Sequence, residues 1–255
     1  VAKICGMSAD LLLYNRQSYF NNSMENCSIR KKVYHRFELQ KDLPRSISYF
    51  DHKKAGRTTN LKKVSVAITV YNQAHYVGQA VSSALAQDYP NLEVIVSDNH
   101  STDNIQEVID SFHDPRLKYF RNEENIGMLK NRHRALYDYS TGDYILHLDG
   151  DDYFIDSGYI RRAMDLIDCQ GLAMVFARTK SLFEKDGVFI EDKINRDLPE
   201  AMDGNWFFLN FYKGYSLPTL TVVHERRYAM EIGFFKKDIR SADWEGFLKL
   251  MIGKK

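Results

Sequence analysis

The chain has 255 residues, 44% of them hydrophobic, so it can bury a core large enough for one α/β domain or for a domain with an appendage. Its 35 Lys and Arg residues balance 34 Asp and Glu residues, which argues against nucleic acid or another polyanion as the partner. Cys5, Cys27 and Cys169 are odd in number and widely spaced. They argue against a disulfide framework and structural zinc, and they favour a reducing compartment.

No stretch of sequence approaches the roughly 18 apolar residues of a membrane-spanning helix, and the start at Val1 shows no secretion signal. We therefore expect no transmembrane segment and a cytoplasmic protein. Residues 1–60 hold eleven Lys and Arg against five Asp and Glu. This basic flank is either solvated or attracted peripherally to the anionic inner face of a membrane. Whether the chain is a fragment of a longer protein stays open.

Residues 1–62 are irregular: residues 11–14 can seed a helix, but Asn, Pro and Gly interrupt the pattern, which predicts an extension ending in a linker. From residue 64, strands predicted at 64–70, 92–96, 117–120 and 144–148 alternate with helices predicted at 77–85, 105–112 and 128–139. This alternation predicts an α/β fold with a mainly parallel central sheet flanked by helices. Its ligand crevice should lie at the carboxyl ends of the strands.

The pattern changes after residue 155. Asp156 or Ser157 is predicted to cap a helix with an apolar stripe over 160–167. A strand is predicted at 172–177, and 183–190 resemble a hairpin around Asp186-Gly187. Residues 156–255 are therefore expected to form a mixed half of the fold with antiparallel strands.

Three carboxylates in four positions follow the fourth predicted strand. In an extended chain Asp149 and Asp151 share a face, Gly150 leaves room for a ligand between them, and Asp152 points to the other side. Oxygen ligands without nearby cysteine favour Mg²⁺ or Mn²⁺ completed by water and phosphates. Taken alone, the motif is equally consistent with an acidic surface turn that caps the next helix.

Polar motifs stand in order at the ends of the predicted elements, at residues 69–72, 97–103, 125–132 and 149–152. Together they resemble the motifs of the GT-A glycosyltransferases of family 2, over roughly residues 64 to 250. In that family the first strand usually ends in Pro-x-Tyr-Asn, the second in Asp-Asp-Gly-Ser-x-Asp and the fourth in Asp-x-Asp. Here Thr69 replaces the proline, Asn99 the second aspartate and His100 the glycine.

The resemblance implies a GT-A, Rossmann-like fold that binds a nucleotide-sugar donor, most often a UDP-sugar. The sugar would pass with inversion to a hydroxyl of a carbohydrate or glycolipid acceptor. Asp98 is expected to hold the pyrimidine edge, because a carboxylate accepts the imide N–H of uracil. Tyr71 would flank the base with Asn72 nearby. Ser101 and Thr102 are better placed than Asp98 to cap the following helix, which leaves Asp98 for the ligand.

The resemblance also assigns roles beside the phosphates. Asn131 and Arg132 would lie near the ribose or phosphates, although Arg132 alone is more typical of a solvated helix charge. Asp149, with Gly150, is assigned to the ribose and metal-bound water, and Asp151 to direct coordination of a Mn²⁺ or Mg²⁺ ion. The chain then divides into an extension (1–62), a nucleotide-binding half (63–155) and an acceptor-side half (156–255).

The acceptor base is expected near the end of the chain. Residues 241–250 resemble the family's Glu-Asp segment, with Ala242 at the Glu position and Asp243 as the base that deprotonates the acceptor. Helix capping is the alternative role of Asp243, and Glu245 is the reserve candidate. Trp244 is either a sugar platform or core. His224 is left out of the catalytic set. Six aromatic residues form either core or an acceptor-side wall, with core as the default: Trp206, Phe207, Phe208, Phe211, Tyr212 and Tyr215.

Two other functions stay open. A nucleotidyltransferase shares the α/β layout and the metal carboxylates, but it usually has a Gly-rich, basic loop after the first strand, and residues 71–75 are neither. A non-catalytic GT-A-like module that binds a sugar or a partner within a larger synthase fits the departures at Asn99, His100 and Ala242.

Overall fold

The structure is a computed structural model that describes residues 3–15, 61–183, 188–191, 201–215, 217–237, 239 and 241–253. Its strands are β1 (Lys3–Asn15), β2 (Val64–Val70), β3 (Leu92–Asp98), β4 (Leu117–Arg121), β5 (Tyr144–Asp149), β6 (Tyr153–Phe154), β7 (Met174–Phe183), β8 (Val188–Glu191), β9 (Ala201–Asp203) and β10 (Val223–Glu225). Its α-helices are α1 (Ala74–Leu85), α2 (Ile105–Asp110), α3 (Met128–Arg134), α4 (Tyr159–Gln170), α5 (Gly204–Asn210), α6 (Arg226–Glu231) and α7 (Ala242–Gly253).

The first half of the fold is the predicted parallel sheet. Strands β4, β3, β2 and β5 lie side by side in that order, and each adjacent pair is parallel. All seven residues of β2 and of β3 are buried, as expected for strands covered by helices on both faces. The predicted alternation of strands and helices is confirmed. The third predicted helix consists of α3 and a π-helical continuation, Ala135–Tyr139.

The second half adds antiparallel strands to the same sheet, as predicted. Strand β10 is antiparallel to both β5 and β7, and β8 is antiparallel to β7. The predicted hairpin is therefore confirmed as a strand pair, while its turn at 184–187 lies outside the described residues. Among the helices of the described chain, none has both the length and the apolar character needed to cross a bilayer.

Residues 3–15 differ from the sequence expectation. They form strand β1, which is parallel to β7 and also pairs antiparallel with β6 and β9. The expected helix seed at 11–14 is wrong, because pairing with distant strands decides the conformation where the local pattern is weak. Residues 16–60 lie outside the described residues, so the boundary at residue 62 stays a prediction.

The start of α4 also differs. Its N-cap is Gly158, and neither Asp156 nor Ser157 holds that position. Instead, Asp156 accepts a hydrogen bond from the backbone N–H of Gly158 at 2.8 Å and pairs with the guanidinium of Arg162. The chain therefore makes one further turn before the helix begins.

The sheet separates two apolar cores. One packs α1, α2 and α4 against one face, and the other packs α5, α6 and α7 against the opposite face. Strand β5 supplies both cores in alternation: Leu146 and Leu148 belong to the first, and Ile145 belongs to the second. Because side chains alternate along a strand, His147 and Asp149 share the face of Ile145, which is the face that α7 covers.

Candidate active site

The carboxyl ends of the parallel strands meet at one edge of the sheet. Thr69 on β2 lies opposite Asp149 on β5, and Asp98 on β3 lies between Val70 on β2 and Arg121 on β4. The loops that follow these strands therefore surround one crevice. This brings together the predicted residues at the ends of the first, second and fourth predicted strands.

Asp98 is buried at this edge, with 1% of its surface exposed. One carboxylate oxygen accepts hydrogen bonds from the backbone N–H and the hydroxyl of Ser101, and the other accepts the Tyr119 hydroxyl at 2.7 Å. Ser101 is thus a donor to Asp98. The expectation that Ser101 or Thr102 caps α2 is wrong, because the loop runs on to Asn104, which is the N-cap.

Tyr119 and Arg121 are functional candidates that the sequence reasoning missed. The Nε of Arg121 lies 3.5 Å from Asp98, and its Nη2 donates to the carbonyl oxygen of Ser101 at 2.9 Å. Burial and the hydrogen bond to Asp98 raise the pKa of Tyr119, so its hydroxyl remains a donor. The signal was the position of Arg121 at the end of a parallel strand, since all such ends share one edge of the sheet.

Asn72 joins two of the loops. Its backbone has a positive φ of 52°, which asparagine tolerates better than most residues. Its side-chain oxygen accepts the backbone N–H of Thr102 at 2.7 Å, and its own N–H donates to Ser101 Oγ at 2.9 Å. Beside it, the Tyr71 side chain is exposed. Asn72 is exposed as well, but its side chain is used in the bond to Thr102.

Asn131 and Arg132 are both buried on α3. The side chain of Asn131 is used inside the protein: its oxygen accepts from Ser97 Oγ at 2.7 Å and from Asn122, and its amide donates to the carbonyl of Ser97. This geometry favours a role in holding α3 against β3 over nucleotide contact. Arg132 donates to both carboxylate oxygens of Asp149, at 2.6 and 2.9 Å. The interpretation of Arg132 as a solvated helix charge is wrong.

The acidic motif forms a turn. Strand β5 ends at Asp149, and the backbone N–H of Asp152 donates to the carbonyl of Asp149 at 3.1 Å. The strand alternation expected through Asp151 therefore stops at Asp149. A Cβ at Gly150 would lie 2.5 Å from Cγ1 of Val70, so glycine is required by close packing on β2. The expected room for a ligand at this position is occupied by the protein itself.

The carboxylate oxygens of this turn suit divalent metal ions that prefer oxygen ligands. In the described ranges, no three His, Cys, Asp or Glu side chains lie close enough together to form a protein-made metal cage. Asp149 and Asp151 offer carboxylate oxygen, and Asp149 is partly exposed. Such a set fits Mg²⁺ or Mn²⁺, which are commonly held by one or two carboxylates with water and substrate phosphates completing the shell.

Asp243 lies in the first turn of α7, half-buried, and its carboxylate accepts the backbone N–H of Trp244 at 2.9 Å. Glu245 is held by Lys249 at 2.5 Å and Lys237 at 3.3 Å. The hydrogen bond from Lys249 lowers the pKa of Glu245, and both lysines hold its carboxylate away from a role as a free base. Trp244 packs on the Phe211 ring at 5.1 Å and is part core and part surface.

The aromatic residues of α5 and the following turn are mostly exposed. Phe207 lies in the core, as expected, and Tyr215 packs against it. The prediction that these aromatic residues lie in the core is wrong for the four that are exposed, which are Trp206, Phe208, Phe211 and Tyr212. A helix of seven residues on the surface of the sheet buries only one side, and its aromatic residues continue around it.

The family model described as glycosyl transferase family 2 matches residues 65–225, which include the whole edge just described. The chain belongs to this family. Among curated glycosyltransferases, it is 33% identical over 130 residues to the GalNAc(5)-diNAcBac-PP-undecaprenol beta-1,3-glucosyltransferase of Campylobacter jejuni, covering 50% of this chain and 40% of that protein. It is 38% identical over 92 residues to the UDP-Glc:alpha-D-GlcNAc-diphosphoundecaprenol beta-1,3-glucosyltransferase WfgD of Escherichia coli, covering 36% of each. The matched region is thus well under half of either relative.

Solved structures of glycosyltransferases share the fold. TarS of S. aureus, residues 1–349 in complex with UDP-GlcNAc, matches with a TM-score of 0.58 and 22% identity over 74% of this chain and 53% of that one. The mannosyltransferase PcManGT of Pyrobaculum calidifontis, in complex with GDP-Man and Mn²⁺, matches with a TM-score of 0.54 and 19% identity over 74% and 51%. The expected GT-A fold is confirmed.

Proposed function

We propose that this family 2 chain carries a metal-assisted site that moves a sugar from a nucleotide-sugar donor, UDP-linked in the first instance, to a hydroxyl of a glycan or lipid-linked acceptor with inversion. The observation that carries the proposal is the meeting of Asp98, Arg121 and Asp149 at one edge of the sheet, within the matched residues. The names of the two bacterial relatives support an undecaprenol-linked acceptor. Such an acceptor would place the reaction at the cytoplasmic membrane surface.

Asp98 would recognise the base. Its two oxygens accept three hydrogen bonds from Ser101 and Tyr119, and an ionised carboxylate has about four acceptor sites, so one remains for the imide N–H of uracil. Because Asp98 is buried, the uracil ring can reach it only if the exposed side chain of Arg121 moves aside. Tyr71, exposed at the end of β2, would then cover one face of the base.

Asp151 and Asp149 would hold Mn²⁺ or Mg²⁺ at the turn that follows β5. When bound, the ion supplies Lewis-acid stabilisation of the charge that develops on the departing diphosphate. Arg132 keeps a fixed positive charge 2.6 Å from Asp149. It therefore orients that carboxylate and adds to the positive potential that phosphates encounter there.

Asp243 would accept the proton of the acceptor hydroxyl. The acceptor oxygen bonds to the anomeric carbon as the bond to the phosphate oxygen breaks, the proton passes to Asp243, and the nucleoside diphosphate leaves. The N-terminus of α7 and the N–H of Trp244 stabilise the carboxylate that the reaction needs. Ala242, buried where the family has glutamate, is the feature that favours a non-catalytic module instead.

The thermal stabilisation of the protein by nucleotides tests the proposed donor-binding site. We expect UDP with Mn²⁺ to raise the melting temperature more than GDP or CDP with Mn²⁺, and more than UDP with EDTA. Asp98→Asn should remove the preference for UDP, because an amide oxygen is the weaker acceptor, while exposed Glu124→Gln should not. No metal-dependent stabilisation by any nucleotide would overturn the proposal.

Release of UDP from a panel of UDP-sugars, with and without undecaprenol-linked acceptors, tests catalysis. Asp243→Asn should lower kcat by about 100-fold or more, the usual contribution of a general base. Glu245→Gln is the matched control and should keep most of the activity. If Asp243→Asn turns over at the wild-type rate, Asp243 is not the base, and donor binding without any turnover would favour the module.

A further inference from the structure

Two buried histidines and two phenylalanines lie between β5 and α7. His147 on β5 and His224 on β10 have ring centroids 6.3 Å apart. The ring of Phe234 stacks on His147 at 6.5 Å and lies 5.4 Å from His224. The ring of Phe235 meets His147 edge-on at 5.1 Å. These four side chains, all buried, are called the His–Phe cluster below.

The cluster touches α7 at Gly246. A Cβ at that position would overlap Cδ2 and Cε2 of Phe234, so the ring lies directly against the helix backbone. Phe247 contacts the same ring at 5.0 Å between centroids. Asp243 precedes Gly246 by three residues and therefore lies on the same face of α7, one turn away. Any shift of this contact moves the first turn of α7.

The cluster also touches the strand that carries the acidic motif. His147 precedes Asp149 by two residues and shares its face of β5. Within the described part of the chain, neither ring nitrogen of His147 has a hydrogen-bond partner. The imidazole therefore contributes to the cluster as a packed ring. The Phe234 ring therefore contacts both His147 on β5 and the backbone of α7 at Gly246.

The turn that supplies both phenylalanine rings has an unusual backbone. Phe235 has a φ of +60° and follows Gly233 with a φ of +77°. A left-handed backbone is costly for a bulky residue and persists only where its surroundings hold it in place. Here the contacts of Phe234 and Phe235 with His147, His224 and α7 provide that hold. The turn therefore holds the two phenylalanine rings in fixed positions.

We infer that the His–Phe cluster positions α7, and with it Asp243, relative to the carboxyl end of β5. Phe234 and Gly246 are the positioning residues, because theirs is the close contact between the cluster and the helix. The inference rests on the proposed function, since it assigns to the cluster the placement of the acceptor base opposite the donor phosphates. It adds residues that neither bind the nucleotide nor touch the acceptor.

Gly246→Ala tests this placement by a split between kcat and KM. The added methyl forces α7 away from Phe234, and a displacement of about 1 Å at the reacting groups can cost on the order of 100-fold in rate. We expect a fall of that size in kcat, with the KM for the UDP-sugar within about twofold, because Asp98, which would bind the base, lies on β3, and β3 contributes no residue to the His–Phe cluster. Gly78→Ala is the matched control: it adds the same methyl to α1, 3.4 Å from Val108, in ordinary contact.

The thermal stabilisation of each variant by UDP with Mn²⁺ is also measured, because it shows that the variant is folded and binds the nucleotide. His147→Phe keeps a ring of similar shape, and we expect it to retain activity within about threefold, whereas His147→Ala should lower kcat at least tenfold. Equal losses in both variants would mean that ring packing is not the role of His147. A folded Gly246→Ala with wild-type kcat would overturn the inference, and an inactive wild type would instead defeat the proposed function.

Discussion

Glu93 is the most extensively paired acid on the side of the sheet remote from the crevice. It lies at the start of β3 with 3% of its side chain exposed. One oxygen accepts from Ser65 Oγ at 2.6 Å and from the backbone N–H of Thr141 at 2.7 Å. The other pairs with Lys63 at 2.7 Å and Lys118 at 2.9 Å. Strands β2, β3 and β4 and the loop before β5 are therefore joined through one carboxylate.

The stability that this carboxylate contributes follows from its pKa. Burial raises the pKa of Glu93, but the hydrogen bonds from Lys63, Ser65, Thr141 and Lys118 outweigh it and lower the pKa from 4.5 to about 2. At about 1.4 kcal/mol per unit, this shift corresponds to about 3 kcal/mol. Because the folded pKa is the lower one, the contribution is complete well above pH 4.5 and is lost as the pH falls toward 2. About 2 kcal/mol of it should be gone at pH 3.

Urea unfolding of the wild type and Glu93→Gln between pH 7 and pH 3 measures this contribution. The amide that replaces the carboxyl group cannot ionise, so the difference in unfolding free energy between the two proteins should shrink by about 2 kcal/mol over that range. Glu124→Gln, at an exposed position, should show a nearly constant difference. A difference for Glu93→Gln that stays constant from pH 7 to pH 3 would refute the reasoning, because the carboxylate would then have the same pKa in both states.

Three further substitutions test the crevice. Gly150→Ala places a methyl against the end of β2 and should cost about 1 to 3 kcal/mol in urea unfolding; unchanged stability would mean that the turn is loose. Arg132→Met keeps the apolar stem but leaves Asp149 without its guanidinium, so unfolding should be easier by roughly 2 to 4 kcal/mol. The added change Asp149→Asn should recover part of that loss, and no recovery would contradict the pairing. Tyr119→Phe removes one donor to Asp98 and should cost about 1 to 2 kcal/mol in thermal unfolding, whereas an unaltered melting curve would show that this bond contributes nothing.

The parallel sheet and the position of its ligand-binding edge could be predicted because they depend on local pattern. Alternating apolar runs and helical stripes determine βαβ units, and parallel strands end at one edge of the sheet. These rules alone predict that Asp98 and Asp149 lie at the same edge. The same reasoning, extended to β4, would also have placed Arg121 there.

The remaining features depend on contacts that the local pattern does not contain. Strand β1 is formed by pairing with β7, β6 and β9, which lie far away in the chain. Gly150 looked like space for a ligand, but the distance to Val70 depends on how β5 and β2 pack. Arg132 alone looked like a solvated helix charge, but the packing of α3 buries it and brings it to Asp149. In each case tertiary packing overrides the expectation from neighbouring residues.

Strand β1 also has a consequence for the order in which the protein is made. Ile4 pairs with Met174, so roughly 170 residues must be synthesised before this strand meets its parallel partner, a separation that slows pairing. The βαβ units of the first half can form from nearby residues during that time. Until β7 emerges, β1 presents unpaired backbone groups that other chains can bind. Slow translation should therefore lengthen the time during which β1 is open to such pairing.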